Sequence, residues 1–337
     1  MAGAKWAHKI QLGKETTPGT AVPATTIWRG VGGNLQDTRE VTMVDEQVGI
    51  AIPTTRNYIG RVGGSLSMAA TPATYEQVLH ILEAGIKTLG TGAADGPGSG
   101  KIYAYPLGLT SVNTIKTYTI ETGDNQQAEE MEYSFVEKFT LTAERGEAVM
   151  VSADWIGRRV QDTTFTPALS VPAAETMLAA KGALYLDPVT NAFGTTQVSD
   201  TLLSWELSVT TGWKAKYTVD SGQLHFAFHY FDRDSFSAEL SATFEHNATA
   251  VAQKANFRSG TPQLFRLDVP GSATAVAGTL FSTSMLRIDL AGVYTEWDAL
   301  DADEGNSIVS VKAMAGYQTT PAKAMTITVV TAMPSVP

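Results

Sequence analysis

The stretch FSAELSATFEHNATAVAQ at residues 236–253 repeats the plan of GGSLSMAATPATYEQVLH at residues 63–80, in the other half of the chain. Each reads as a short alternating strand, a small polar break and a helix-competent run. Side chains share a strand face every second residue and a helix face every third or fourth, so the change of period marks an element boundary in both. Met twice in 337 residues, the pattern predicts two copies of one structural unit.

The repeated order extends outward from that core. In the first half it runs from Trp28 through a long hairpin to Ile59, a strand at 64–70, a helix at 74–86, the strand KIYAYPL at 101–107, and strands at 115–120, 133–143 and 148–155. In the second it runs from Trp205 through a hairpin to Phe231, a strand at 236–244, a helix at 247–258, the strand PQLFRLDV at 262–269, and strands at 285–295 and 307–315. Two units follow, residues 27–165 and 201–337, with residues 166–200 joining them. Residues 1–26 are polar, and Thr16-Thr17-Pro18-Gly19-Thr20 reads as a turn, so an extended arm is expected before the first strand. The second unit is expected to end in a C-terminal arm.

Local chemistry supports the element types. FTLTAERGEAVMVSADW at 139–155 is two alternating runs about Arg145-Gly146, a hairpin that puts Val149, Val151, Ala153 and Trp155 on one face. LLSWELSVTTGW at 202–213 alternates likewise, with Trp205, Leu207 and Val209 inward and Glu206, Ser208 and Thr210 outward. The first helix has Thr71 or Thr74 as N-cap, apolar Val78, Leu79, Leu82 and Ile86, and Gly85 near its end. The second, rich in Ala, caps at Asn247 and stops at Gly260.

Composition narrows the function. The net charge is −10 and both halves are acidic, so no basic stripe offers itself to phosphates and tight nucleic-acid binding is not expected. There is no cysteine, which removes disulfides, thiolate metal sites and thiol nucleophiles together. The opening MAGAKWAHKIQLGKETTPGT has no long apolar core, and no apolar run is long enough to span a bilayer, so a cytoplasmic product without membrane contact is expected.

No motif argues for catalysis, a cofactor or a metal. GPGSGK at 96–101 fails as a phosphate loop because Asp95 stands where the first Gly belongs and Ile102 where Ser or Thr is needed. His225 and His229 share a strand face in HFAFH, opposite Phe226, Phe228 and Tyr230, too far apart to chelate on a straight strand. Asp301-x-Asp303-x-Gly305 has part of a calcium-loop spacing but lacks the closing Glu. Two acidic turns stand out instead. Glu121, Asp124, Glu129, Glu130 and Glu132 fall between late strands of the first unit, and Glu296, Asp298, Asp301, Asp303 and Glu304 between late strands of the second. Charge runs ordinarily face water, and the repetition adds the expectation of a shared position on an assembled surface.

Three stretches carry a resemblance: QLGKETTPGTAVPATTIWRG at 11–30, EEMEYSFVEKFTLTAERGEAVMVSADWIGR at 129–158, and ALYLDPVTNAFGTTQVSDTLLSWELSVTTG at 183–212. With the duplicated element order, the chain resembles the two-domain tail tube proteins, or major tail proteins, of long-tailed bacteriophages. The resemblance implies a mainly β chain of two tandem tail-tube-like β-sandwich or barrel domains, each with one flanking helix and long hairpins. It further implies trimers with pseudo-sixfold symmetry, stacked into a tube through which double-stranded DNA passes during ejection. Implied partners are further copies of the chain and the tail tape-measure, tail-tip and tail-terminator proteins, assembled in the host cytoplasm into a virion tail. The hairpin at 38–60, with Val44, Asp45, Glu46, Ile50, Ile52 and Arg56, would reach the adjacent ring, and the acidic turns would line the bore or seat one ring on the next. The alternative is a β-sandwich module that binds carbohydrate or a receptor. Against it, the Trp residues are scattered at 6, 28, 155, 205, 213 and 297 and form no platform in the sequence.

Overall fold

A computed structural model describes residues 3–272 and 277–337; the first two residues of the expected arm lie outside the described residues. Strands hold 48% of the chain and helices 9%, which makes it mainly β. The first half contains β1 (Lys9–Lys14), β2 (Thr26–Trp28), β3 (Leu35–Met43), β4 (Asn57–Pro72), α1 (Val78–Gly85), β5 (Ala93–Ala94), β6 (Lys101–Pro106), β7 (Tyr118–Gly123), β8 (Ala128–Glu144), β9 (Met150–Gly157) and β10 (Val160–Thr163). The second contains β11 (Ala183–Pro188), β12 (Gln197–Val198), β13 (Leu202–Thr210), β14 (Trp213–Lys216), β15 (Phe228–Phe231), β16 (Ser237–Glu245), α2 (Ala248–Ser259), β17 (Gln263–Pro270), β18 (Met285–Trp297), β19 (Asp301–Asp303), β20 (Asn306–Ala315) and β21 (Met325–Thr331).

Strand pairing repeats between the halves. The first path runs β2, β1, β7, β8, β9, β4, β3, all antiparallel. The second runs β12, β11, β17, β18, β20, β16, β13, again antiparallel. β10 lies beside the first part of β8 as β21 lies beside the first part of β18. Even the irregularity recurs: the register slips between Val136 and Lys138 on β8 and between Tyr294 and Glu296 on β18. A bulge that bends a strand at the same rung twice is a built feature. The echoed residues sit on matching rungs, Leu66 opposite Trp155 and Leu240 opposite Ala313.

Three expectations change. The strand at 101–106 does not match PQLFRLDV: β7 takes that place, and β6 crosses to the second half to pair with β21, Tyr105 opposite Ile327. Its alternation buries Tyr103 and Tyr105, and a period of two identifies a strand without saying which sheet receives it. Residues 9–14, expected in the arm, form β1 between β2 and β7, with Ile10 and Leu12 buried. Two apolar residues among polar ones are too short a signal to separate from a loop. Residues 183–188, expected in the connection, form β11 against β17.

The halves share one apolar core, and their sheets join where β13 pairs with β8 from Ser204 opposite Glu144 to Thr210 opposite Lys138. Leu207 meets Leu141 and Val209 meets Phe139 on this junction, all buried, each contributing roughly 1.5–3 kcal/mol. The hairpin face of Val149, Val151, Ala153 and Trp155 is buried as its alternation requires, and so is that of Trp205, Leu207 and Val209. α2 begins at Asn247, whose side chain accepts from Thr249 N and Ala250 N, and ends at Gly260 with φ 63°. α1 is shorter than expected, starting at Val78. Thr74 Oγ1 accepts from Gln77 N at 3.2 Å in the turn before it.

Candidate assembly surfaces

β3 and β4 form the longest free ribbon. They pair from Leu35 opposite Leu66 to Met43 opposite Asn57, yet of the nine residues of β3 only Leu35 is buried. Beyond the paired region the backbone closes once more, Val44 N donating to Arg56 O at 3.0 Å. Glu46 accepts from Thr54 Oγ1 and from Arg56 Nη1, both at 2.7 Å, and these bonds hold its carboxyl below the usual range. Val48, Ile50 and Ile52 at the tip are exposed, Ile52 by 74%. Aliphatic side chains held on a polar-braced loop, outside both apolar clusters of the described residues, are the composition of a contact surface.

The matching ribbon of the second half behaves differently. After Thr211 the chain turns at Gly212, φ 79°, where the Cβ of any other residue would also meet the Asp232 carbonyl oxygen at 2.8 Å. β14 and β15 then fold down onto the first half. Trp213 and Phe226 join Ile115, Tyr133 and Phe135 in a second apolar cluster, and the Trp213 indole N–H donates to Gly85 O at 3.0 Å. His229 stands edge-on to Trp213, ring centroids 5.1 Å apart, and burial pushes its imidazole pKa down. The expected face division of this strand is therefore corrected: Phe226 is buried and His229 faces the aromatic cluster with it, while Phe228 and Tyr230 point outward.

The acidic turns occupy different ends of the repeated path. Residues 121–132 span the β7–β8 turn, whereas 296–304 lead into the turn before β20, whose counterpart is the β8–β9 turn at Arg145-Gly146. Gly146 and Gly305 sit in these matching turns with φ 81° and 91°. Glu121 is buried and accepts from Ala24 N, Thr166 N and Thr166 Oγ1. Glu132 is buried and pairs with Arg159 at 3.0 Å. Asp124 accepts from Gln126 N, and Glu130 from Gln161 Nε2, both at 2.7 Å. Burial, with Asp162 and Asp37 nearby, raises the Glu129 pKa. In the second turn Glu296 pairs with Lys312 at 2.5 Å, Asp298 N donates to Ser310 O, and Asp301 Oδ1 accepts from Ala302 N. Asp303 and Glu304 both face Arg145, which ties the two hairpin tips together.

Sequence reasoning missed several buried carboxylates. Glu15 is fully buried and gathers Gly19 N, Thr117 Oγ1, Thr119 Oγ1 and Tyr133 N. Asp187 holds the backbone N–H groups of Gly194, Thr195 and Thr196. Each is an ordinary single acid in the sequence, and only the fold assembles its donors. Among the described residues no group of three or more His, Asp or Glu side chains is placed to hold a metal ion.

An open groove of about 1080 Å³ lies where the halves meet, lined by Leu107, Leu109, Trp213, Phe231, Phe236 and Tyr317 among others. Trp28, Trp155, Trp205 and Trp213 are buried and Trp297 packs beside α2 on Phe257, so Trp6 alone presents its ring to solvent. No aromatic platform is assembled from them.

A family model described as phage tail tube protein matches residues 6–331, nearly the whole chain. No curated protein matches it.

Proposed function

Because the chain belongs to the phage tail tube protein family, we propose that three copies form a ring with pseudo-sixfold symmetry and that such rings stack into the conduit for the genome. Membership makes it a structural protein of the virion tail that self-assembles into a tube with other tail proteins. The observation that carries the threefold reading is the strand path that occurs twice in one chain. Two like units per chain and three chains give six units about the axis, the closed arrangement that a single-unit hexamer would reach with six chains. The proposed units are those expected from sequence, 27–165 and 201–337, extended to take in β1 and β11. The proposed partners are the tape-measure, tip and terminator proteins of the tail, met in the host cytoplasm.

A net charge of −10 per chain gives −30 for three, so carboxylates facing a bore would repel DNA phosphates and keep the duplex sliding. The exposed members of the acidic turns, Glu296, Asp298, Asp301 and Glu304, with the half-buried Asp124 and Glu130, are the proposed lining or seating groups. Replacing them by Lys should slow genome ejection in the first role and block stacking in the second; a change in neither sinks both. The direct test is electron microscopy and mass measurement across a concentration series, with tail-tip complexes added as nuclei. Hollow tubes with three chains per layer are expected, and compact closed dimers under every condition would overturn the reading.

A further inference from the structure

Resting on the ring proposed above, we infer that each copy adds its β3 to the outer edge of β18, and of the residue that continues it, in a partner copy, with Thr38 opposite the partner's Glu296 and Gln36 opposite the partner's Asp298. The register comes from the junction inside the chain. β13, the last strand of the second path, pairs on its outer edge with β8, Thr210 opposite Lys138 and Ser208 opposite Thr140. Its counterpart β3 pairs with β4 alone, so its outer edge has no strand partner among the described residues. The counterpart of the β8 edge is β18 beyond Gly292, on the side that β17 leaves, and it too has no strand partner there among the described residues. One chain therefore carries one filled junction and the two unfilled halves of another like it. Open edges of this kind recruit another chain unless they are blunted.

Rung-by-rung equivalence fixes the pairs. Leu35 faces Leu66 as Leu207 faces Leu240, which makes Thr38 the counterpart of Thr210. Ile156 faces Phe135 as Met314 faces Val293, and the shared bulge carries the count to Lys138 and Glu296. α1 packs on β8 as α2 packs on β18, so the flanking helices recur with the strands. Exposure agrees: β13 buries alternate residues, whereas β3, without its neighbour, buries one of nine. On the rung between, Asp37 takes the place of Val209 and the partner's Trp297 that of Phe139. Trp297 has a buried indole N–H with no hydrogen-bond partner among the described residues, and Asp37 brings a carboxylate to its rung.

The absence of cysteine makes the register directly testable. Thr211 N donates to Glu137 O at 2.8 Å, so Thr210 with Lys138 is a non-hydrogen-bonded rung, the kind whose side chains lie closest. The inferred rungs are of the same kind and suit a disulfide. The full chain with Thr38→Cys and Glu296→Cys, assembled into tubes and mildly oxidised, should give a covalent ladder ending at three chains. Gln36→Cys with Asp298→Cys should do the same and stands in if the first pair fails to assemble. Thr38→Cys with Asp298→Cys, two residues out of register, should give at least tenfold less. Tubes without a ladder, or with equal yield from the offset pair, would overturn the inferred junction while leaving the tube reading intact. A register-specific ladder running past three would keep the junction and overturn the trimer. Failure of the unaltered chain to form any tube would remove both.

Discussion

Trp213 donates its indole N–H to the carbonyl of Gly85, 128 residues earlier in the chain and 3.0 Å away. The bond seats the β14–β15 ribbon on the end of α1 and closes the second apolar cluster. Trp213→Ala removes a buried ring from this seat and should cost about 3–5 kcal/mol. Trp213→Phe keeps most of the packing and loses the hydrogen bond, at about 1 kcal/mol. Urea unfolding of both variants checks the ratio. Equal losses would mean that the ring contributes no packing.

β17 and β18 carry two ion pairs directly across the ladder. Arg287 meets Asp268 at 2.7 and 2.6 Å, and Arg266 meets Asp289 at 2.6 and 2.8 Å, on rungs two residues apart. Asp268 is nearly enclosed. Arg287→Met should therefore cost about 3–5 kcal/mol by stranding that carboxylate, and adding Asp268→Leu should recover most of the loss. A double variant no better than the single one would show that stranded charge is not the cause.

Much of this architecture is readable from side-chain period, and the unread part is where period says nothing. The echo at 63–80 and 236–253 marks matching strands because both alternate and both break into helices, and Asn247 and Gly260 cap α2 by local chemistry alone. β6 alternates just as clearly, but nothing in KIYAYP says that it pairs with β21 across the molecule. β1 is missed because Gln11 sits buried between Ile10 and Leu12, its amide donating to Thr166 O, a partner no local pattern supplies. The acidic turns look alike as text, yet Glu121 and Glu132 are held inside by Thr166 and Arg159 while Asp301 is exposed.

His80 on α1 is enclosed, its Nδ1 3.3 Å from the Tyr118 hydroxyl. Desolvation, then the nearby Lys14 charge, pushes its pKa down to about 3 from an ordinary 6.5. Below pH 6.5 the unfolded chain takes up a proton that the folded chain refuses. This group's contribution is therefore fully present above that pH and falls by about 1.4 kcal/mol per unit as pH drops toward 3. His80→Gln should flatten the acid limb of stability against pH by that slope relative to the unaltered chain. Parallel acid limbs would show that His80 does not set it.

The tip of the β3–β4 ribbon holds Val48, Ile50 and Ile52 in water, braced by the Arg56–Glu46 pair at 2.7 Å. None of these residues belongs to either apolar cluster, so their solvation is a standing cost that only a neighbour can remove. Replacing residues 45–55 by a two-residue Asn-Gly turn keeps the lower ribbon, where Leu35 pairs with Leu66. The shortened chain should unfold within about 0.5 kcal/mol of the original, since no core contact is lost. If the tip bridges successive layers, sedimentation and electron microscopy should show single rings at concentrations where the intact chain forms tubes. Ile50→Asp with Ile52→Asp should act the same way through desolvation of charge. Tubes of normal length from both variants would assign layer stacking to another surface.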